Sequence, residues 1–410
     1  MPKINPERLL ADLRRLADFG RYKTGVHRPT FSPQDVESRA WLQQRFAEAG
    51  LNASIDGVGN VIGSSRVNGP RLLMGSHSET QPHAGWLDGA MGVIYALEVA
   101  RAFAEDPACA GMGIEVASWA DEESHYASML GSHSFVGDLT DADLDAAKNR
   151  DDGTPLREAL DKAGYADKPR ALIDPSRYVG YVEAHIEQGD SLEATGKRIG
   201  VVTSIVGIWQ YRIHFTGVQN HAGTTRMAIR KDAGVALVNL ASAIYEAFPK
   251  VAAERTVWTT GRIDLDPNAP SIVPGGAKMM FQFRDADPER LLLLEKTLFD
   301  LVAAADAAGP CGVTIETVSR SEPKVMEGAF QDALEEAAKE HAPGMHVRMP
   351  SGAGHDAQIL AKKLPAAMLF VPSIGGISHH YAENTSDDDL VLGCQVLADA
   401  AEKILKRAAK

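Results

Sequence analysis

Histidine, aspartate and glutamate bind divalent cations through nitrogen and oxygen, and in this chain they concentrate in five short segments. These are Gly75-Ser-His-Ser-Glu-Thr80, Trp86-Leu-Asp-Gly-Ala90, Asp121-Glu-Glu123, Glu183-Ala-His-Ile-Glu-Gln-Gly189 and Gly376-Ile-Ser-His-His380. Taken singly, an acidic triplet such as Asp121-Glu122-Glu123 reads as a solvated turn, and a lone histidine as a hydrogen-bonded structural residue. Imidazoles and carboxylates gathered without thiolates suit an open catalytic site for zinc, manganese or cobalt rather than a closed structural one.

For these segments to act together, the fold must bring them to one place. The pattern predicts strands at Arg71–Ser76, Gly113–Ala120, Tyr178–His185 and Ala366–Val371. Helices are predicted from Ser32-Pro33 to Gly50, over Leu87–Phe103 and over Asp388–Arg407, with Ser32 as a cap and Pro33 at the first helical position. Strands alternating with helices make an α/β fold with a mostly parallel sheet covered on both faces. His77, Glu122/Glu123 and His379 then follow strands and His185 ends one, where open α/β sheets collect ligands.

The middle of the chain has a different rhythm. Trp209, Tyr211, Ile213 and Phe215 alternate with polar residues, as in a strand buried on one side. A helix at Lys231–Phe248, strands near Arg255–Leu265 and Lys278–Arg284, a helix at Pro288–Ala307 and a strand at Val313–Val318 complete a β-α-β-β-α-β order, the ferredoxin-like arrangement. Residues 211–326 are therefore read as a domain inserted between 1–210 and 327–410.

Composition bounds the rest. The 410 residues carry 42 Lys plus Arg against 55 Asp plus Glu, a net charge of −13. That balance argues against non-specific binding to nucleic acid or anionic membranes. Cys109, Cys311 and Cys394 are scattered and form no disulfide framework. The first twenty residues are charged and amphipathic rather than signal-like, and no apolar run is long enough to span a bilayer. The expectation is a cytoplasmic protein.

The same segments, with Asn220-His-Ala-Gly-Thr-Thr225, Pro350-Ser-Gly-Ala-Gly-His-Asp356 and Phe370-Val-Pro-Ser373, resemble the hydantoinase/carbamoylase family of amidohydrolases, within the aminoacylase and metallocarboxypeptidase superfamily. The resemblance runs from about residue 15 to about residue 405. It implies two divalent ions per subunit (zinc, manganese, cobalt or nickel): His77 and His185 on one, Glu123 and His379 on the other, Asp88 bridging. Such a pair activates water and polarises a carbonyl. Glu122 would be the general base. His221 would stabilise the oxyanion, reaching the neighbouring protomer's site in a homodimer. Arg284 would bind a substrate carboxylate bidentately, Gln188 would contact the ureido or amide group, and Gly354 would line the pocket. The inserted domain would be a lid and dimerisation domain.

Four positions depart from the family pattern. Glu79 replaces an aspartate that orients the first histidine, Ser124 a glycine after the acidic pair, and Arg226 a proline. Ser271 replaces an asparagine that helps Arg284 hold the substrate. His125, His133 and His380 add imidazoles that read as surface or supporting residues. The ligand set is intact and the substrate is what the departures affect. The leading expectation is hydrolysis of an N-carbamoyl amino acid or a close ureido acid. Alternatives are allantoate-type amidohydrolysis, deacylation of an N-acyl amino acid, and a non-catalytic dimer that binds metal or a small ligand. The presence of Glu122 argues against the last.

Overall fold

The computed structural model describes residues 1–409. The chain forms two compact units, one of Met1–Thr203 with the segment from Val325 onward, the other of Ser204–Lys324.

The first unit is built on a nine-stranded sheet. Its middle holds β1 (Arg71–His77), β2 (Gly113–Trp119), β3 (Gly180–Ile186) and β4 (Ala366–Val371), in the order β4-β3-β1-β2. All neighbours among these four are parallel. Every residue of β2, β3 and β4 is buried, as parallel strands covered on both faces must be. The flanks run the other way. Ile199–Ile205 pairs antiparallel with β4, and Val61–Ser64 pairs antiparallel with β2 and with Asn52–Ile55. The sheet is therefore mixed rather than mostly parallel. Asn52–Ile55 and Val61–Ser64 are joined by a short turn, which can only return the chain antiparallel, whereas parallel neighbours need long crossovers.

The helix Ala90–Glu105 packs on β1, β2 and β3 and is covered from outside by Pro6–Asp18 and Asp387–Ala408. All its residues from Ala90 to Phe103 are buried, which is what an apolar surface on every side of a helix requires. Its two buried charged residues, Glu98 and Arg101, are paired rather than bare. Arg8 Nε donates to Glu98 Oε2 at 2.7 Å, and Arg101 Nη1 to Asp12 Oδ2 at 2.7 Å. The helix starts three residues later than its apolar pattern predicts, because Leu87-Asp88-Gly89 form a turn that holds Asp88 off the helix. In Pro33–Glu48, Ser32 Oγ accepts from Asp35 N at 3.3 Å. The Asp35 carboxylate turns inward to Phe31 N at 2.9 Å and Arg39 Nε at 2.8 Å.

The second unit holds four antiparallel strands, Gly207–Thr216, Val257–Asp266, Gly276–Asp285 and Gly312–Arg320. They lie in the order second, third, first, fourth. Helices Ala233–Ala247 and Pro288–Ala308 connect the first pair and the last pair. Trp209, Tyr211, Ile213 and Phe215 face these helices in one apolar cluster with Leu237, Leu240, Ile244, Leu291, Leu294 and Leu298. Burying each such side chain stabilises by about 1.5–3 kcal/mol. Among the described residues, no helix is long and apolar enough to cross a membrane.

Candidate active site

Parallel strands end on one side of their sheet, so residues that follow β1 to β4 share that side. His77 is the last residue of β1, Glu122 and Glu123 follow β2, His185 is the last residue but one of β3, and His379 follows β4. The turn before Ala90–Glu105 delivers Asp88 to the same place. Its Oδ1 lies 3.4 Å from His77 Nε2 and 3.2 Å from His185 Nε2, and its Oδ2 lies 3.3 Å from His379 Nε2. His379 Nε2 is 3.6 Å from Glu123 Oε1, and His77 Nε2 is 3.7 Å from Glu122 Oε2.

These spacings sit at or beyond the outer edge of hydrogen bonding. Two atoms that each stand about 2.1 Å from a tetrahedral ion are about 3.4 Å apart. The donor set of imidazole nitrogens and carboxylate oxygens suits divalent cations, and Glu123 Oε1 is buried without a hydrogen-bond partner, as a ligand oxygen awaiting an ion would be. The residues therefore fit the group. Two overlapping sets, His77–Asp88–His185 and Asp88–Glu123–His379, each keep their ligand atoms within 4.8 Å of one another.

The imidazoles are oriented from behind. His185 Nδ1 donates to Ile186 O at 2.9 Å, and His77 Nδ1 to Glu79 O at 3.1 Å, leaving each Nε2 to face the cluster. The Glu79 carboxylate is thus not the nearest partner of His77, from which it lies 3.7 Å away. Its extra methylene lets it reach elsewhere: Oε1 accepts from Glu122 N at 2.6 Å and Oε2 pairs with the wholly buried Arg39 at 2.7 Å. Glu79 therefore anchors the backbone of the proposed base.

Gly89 sits at φ +63° and its N–H donates to His185 Nε2 at 3.0 Å. A Cβ there would lie 2.4 Å from three atoms of the His77 ring. Ser124, at φ +61°, occupies the left-handed region that costs an ordinary residue about 1–2 kcal/mol. This accounts for glycine being the easier choice at that position. Asp121 bears the turn's load by accepting from His125 N at 2.7 Å and from Tyr126 N and Ala127 N at 2.8 Å each.

The charge balance is lopsided. Burial raises the Glu122 carboxyl well above its ordinary range, reinforced by Glu123, Asp356 and Asp88 and opposed by His77. Burial also pushes Asp88 upward, but His185, His379 and His77 outweigh it and hold Asp88 well below the carboxylate range. Asp88 in turn raises His379 to about 9 against burial.

Other expected residues fall in two groups. Gln188 belongs to the cluster: its Nε2 donates to Asp88 Oδ2 at 2.9 Å, so this amide is spent on the shared carboxylate, while Oε1 stays buried without a partner. Gly354 lies half-buried just before His355, whose ring packs tilted against that of His185 with centroids 4.7 Å apart. His221, Ser271 and Arg284 belong to the second unit. Asn220–His221 pairs with Ile272–Val273, and Ala222 N donates to Ser271 O at 2.9 Å, which brings His221 beside Ser271. His221 Nδ1 accepts from Gly223 N at 3.0 Å and Thr224 N at 3.2 Å. The ring proton is therefore on Nε2, an exposed donor. Arg284 lies at the end of Gly276–Asp285, where burial lowers its pKa.

Sequence reading missed several supporting residues. Glu383 accepts from Leu87 N at 3.2 Å and Asp88 N at 3.0 Å, and burial raises it to about 7. Gln81 Nε2 donates to Glu123 Oε2 at 2.7 Å. Arg39 is one arginine on an ordinary helix until the fold buries it, and no spacing signal marks any of the three. His125, one of the unexpected imidazoles, is wholly buried beside Thr30 and Asp121. His133 pairs with Asp138 at 3.3 Å, and the His380 ring packs tilted against Tyr381 with centroids 4.1 Å apart.

Residues 73–403 match the model of peptidase family M20/M25/M40. The chain belongs to that family. Within this M20 family it falls in the hydantoinase/carbamoylase branch. It is 50% identical to a solved amidase of the hydantoinase/carbamoylase family from Burkholderia phymatum, with a TM-score of 0.91 and full coverage of both chains. It is 32% identical to the N-carbamoyl-L-amino-acid amidohydrolase of Paenarthrobacter aurescens, over 97% of each chain. It is 33% identical to the allantoate amidohydrolase of Escherichia coli strain K12, over 93% of this chain and 94% of that one. As a member of this branch of M20, the chain is a hydrolase of C–N bonds other than peptide bonds.

Two predictions follow from this geometry. Gly89→Ala drives a methyl into the His77 ring, so metal content after dialysis should fall and affinity weaken by about 10-fold or more; unchanged zinc affinity would contradict the crowding. In the chelated protein, His379 is raised from 6.5 to about 9. Its contribution to stability is whole below pH 6.5 and is lost as pH rises through about 9. The raised Glu122 carboxyl acts in the same direction. The melting temperature of chelated protein should fall over that interval, and added zinc should flatten the dependence.

Proposed function

We propose that the chain hydrolyses an N-carbamoyl amino acid or a close ureido acid to the amine, carbon dioxide and ammonia, consuming one water. The observation that carries this reading is the shared carboxylate of Asp88, whose two oxygens face different ligand sets. His77 and His185 would hold one ion, Glu123 and His379 the other, with zinc, manganese, cobalt or nickel as occupants. The ions' chemistry is to acidify water and polarise the scissile carbonyl.

The chain's own groups do the rest. Glu122, 12% exposed and fixed at its backbone by Glu79, takes the water's proton and passes it to the leaving nitrogen. Its raised pKa suits a group that must both accept and release a proton near neutrality. His221 offers an Nε2–H to the oxyanion of the tetrahedral intermediate. Arg284 supplies a fork for the substrate carboxylate. Ser271, beside His221, brings a hydroxyl where the family has an amide, so the group next to the carboxylate is where specificity departs. In the first unit, Gln188 would contact the ureido or amide group once the substrate takes its place beside Asp88, and the backbone at Gly354 would line the pocket there. Identities of 32% to a carbamoylase and 33% to an allantoate amidohydrolase favour neither substrate, and deacylation of N-acyl amino acids uses the same ligand set.

In this reading the Ser204–Lys324 unit is a ferredoxin-like lid that also makes a homodimer. Val257–Asp266 is an edge strand, and Val257, Ile263 and Leu265 on it are exposed, as are Val235, Val238 and Tyr245 on Ala233–Ala247. An open strand edge beside exposed apolar side chains invites pairing with a second copy. A cytoplasmic setting agrees with three buried, unpaired cysteines.

Glu122→Gln should lower kcat by about 10²–10⁴-fold while leaving metal content unchanged; a fully active variant removes Glu122 from the mechanism. A release assay over ureido, acyl and amidino acids, following ammonia and the organic product, should show turnover of an N-carbamoyl amino acid that chelation abolishes. Activity that survives chelation refutes the metal requirement. Heterodimers of His221→Ala with Glu122→Gln should regain activity if His221 serves the partner's site, and confirmed heterodimers that stay inactive place each site in one chain.

A further inference from the structure

A second group of metal-ligating side chains lies away from the active site, between the helices Gly328–His341 and Asp387–Ala408. Glu340, His341 and Asp399 each offer a ligand atom, all within 4.8 Å of one another. Asp399 is wholly buried, and neither of its carboxylate oxygens has a hydrogen-bond partner. His341 Nε2 is buried too and equally without a partner. It stands 3.6 Å from Asp399 Oδ2, too far for a hydrogen bond and near the separation of two ligands on one tetrahedral ion.

Leaving a buried carboxylate with no hydrogen bond is costly. The cation now nearest is the Lys403 ammonium, 2.8 Å from Glu340 Oε1 and 3.7 Å from Asp399 Oδ2. It satisfies Glu340 and stops short of hydrogen bonding with Asp399. Burial raises the Asp399 carboxyl above its usual range against the pull of Lys403.

We propose that Glu340, His341 and Asp399 form a structural site for a divalent ion of the zinc class, distinct from the active-site cluster. One imidazole and two carboxylates neutralise a divalent charge and are ligands zinc accepts. The ion displaces Lys403, whose flexible stem can swing its ammonium into water. His341 lines a surface cavity of about 600 Å³, and the Glu340 and Lys403 side chains are partly exposed, so an ion reaches the cluster from the Glu340 side as the lysine moves away. An ion there ties the end of Gly328–His341 to the C-terminal helix.

Zinc content after dialysis tests the site, read as a difference so that the number of active-site ions does not matter. Wild type should hold one equivalent more than His341→Ala, with hydrolytic activity the same in both. Asp399→Asn, nearly isosteric, should lose the same equivalent and serves if His341→Ala does not fold. Lys403→Met removes the competing cation, so isothermal titration with zinc should show tighter binding at that equivalent and a larger zinc-induced rise in melting temperature. Equal zinc content in wild type, His341→Ala and Asp399→Asn would overturn the site and leave the cluster to a proton and Lys403. Unchanged affinity in Lys403→Met would overturn the displacement.

Discussion

Too many carboxylates crowd one end of the central sheet for the positive charge the protein provides. Asp88, Glu122 and Glu123 meet there with Glu79, Glu183 and Asp356 buried close behind. Three imidazoles face them, and the Arg39 guanidinium buried beside them is already paired with Asp35 and Glu79. Like charges at such distances in a poorly hydrated site cannot all ionise unaided. The donor set consequently suits divalent metal, and the spacing of its ligand atoms, the tautomers of His77 and His185 and the bare Glu123 Oε1 all agree with that.

The supporting residues keep this arrangement rigid with few contacts. Glu383 holds the turn that carries Asp88 by accepting its N–H and that of Leu87. Asp121 collects three backbone N–H groups and so fixes the turn after β2. Glu79 links Arg39 to the backbone of Glu122. Each is a buried acid satisfied by donors, the condition under which a charge can be carried inside a protein. The backbone yields at the same places: Asp121, Ser124, Gln188 and His379 all take positive φ, a strain tolerated where position matters more than local comfort.

The second unit solves a simpler problem. Its strands bury alternate residues against two helices, and its edge strand stays open with apolar side chains exposed. His221 is set not by burial but by two backbone N–H groups on Nδ1, so a surface histidine still has a defined donor.

Period and end signals made much of this visible in the chain itself. Short apolar runs such as Ala366–Val371 read as buried strands by their length, and alternation at Trp209–Phe215 shows which side faces inward. The segments bearing His77, Asp88, Glu122, Glu123, His185 and His379 stood out by residue type, and strand ends explained why they should meet. Direction of pairing was not legible, because antiparallel flank strands such as Val61–Ser64 carry the same apolar pattern as parallel ones. Nor were Arg39, Gln81, Glu383 or the Glu340–His341–Asp399 group. Their partners lie far away in sequence or across two helices, and each is an ordinary surface residue until packing removes its water. Local sequence determined which elements form and which side chains can bind a cation. Only tertiary contact decided which acids lose their solvent, and that loss turns a carboxylate into a ligand.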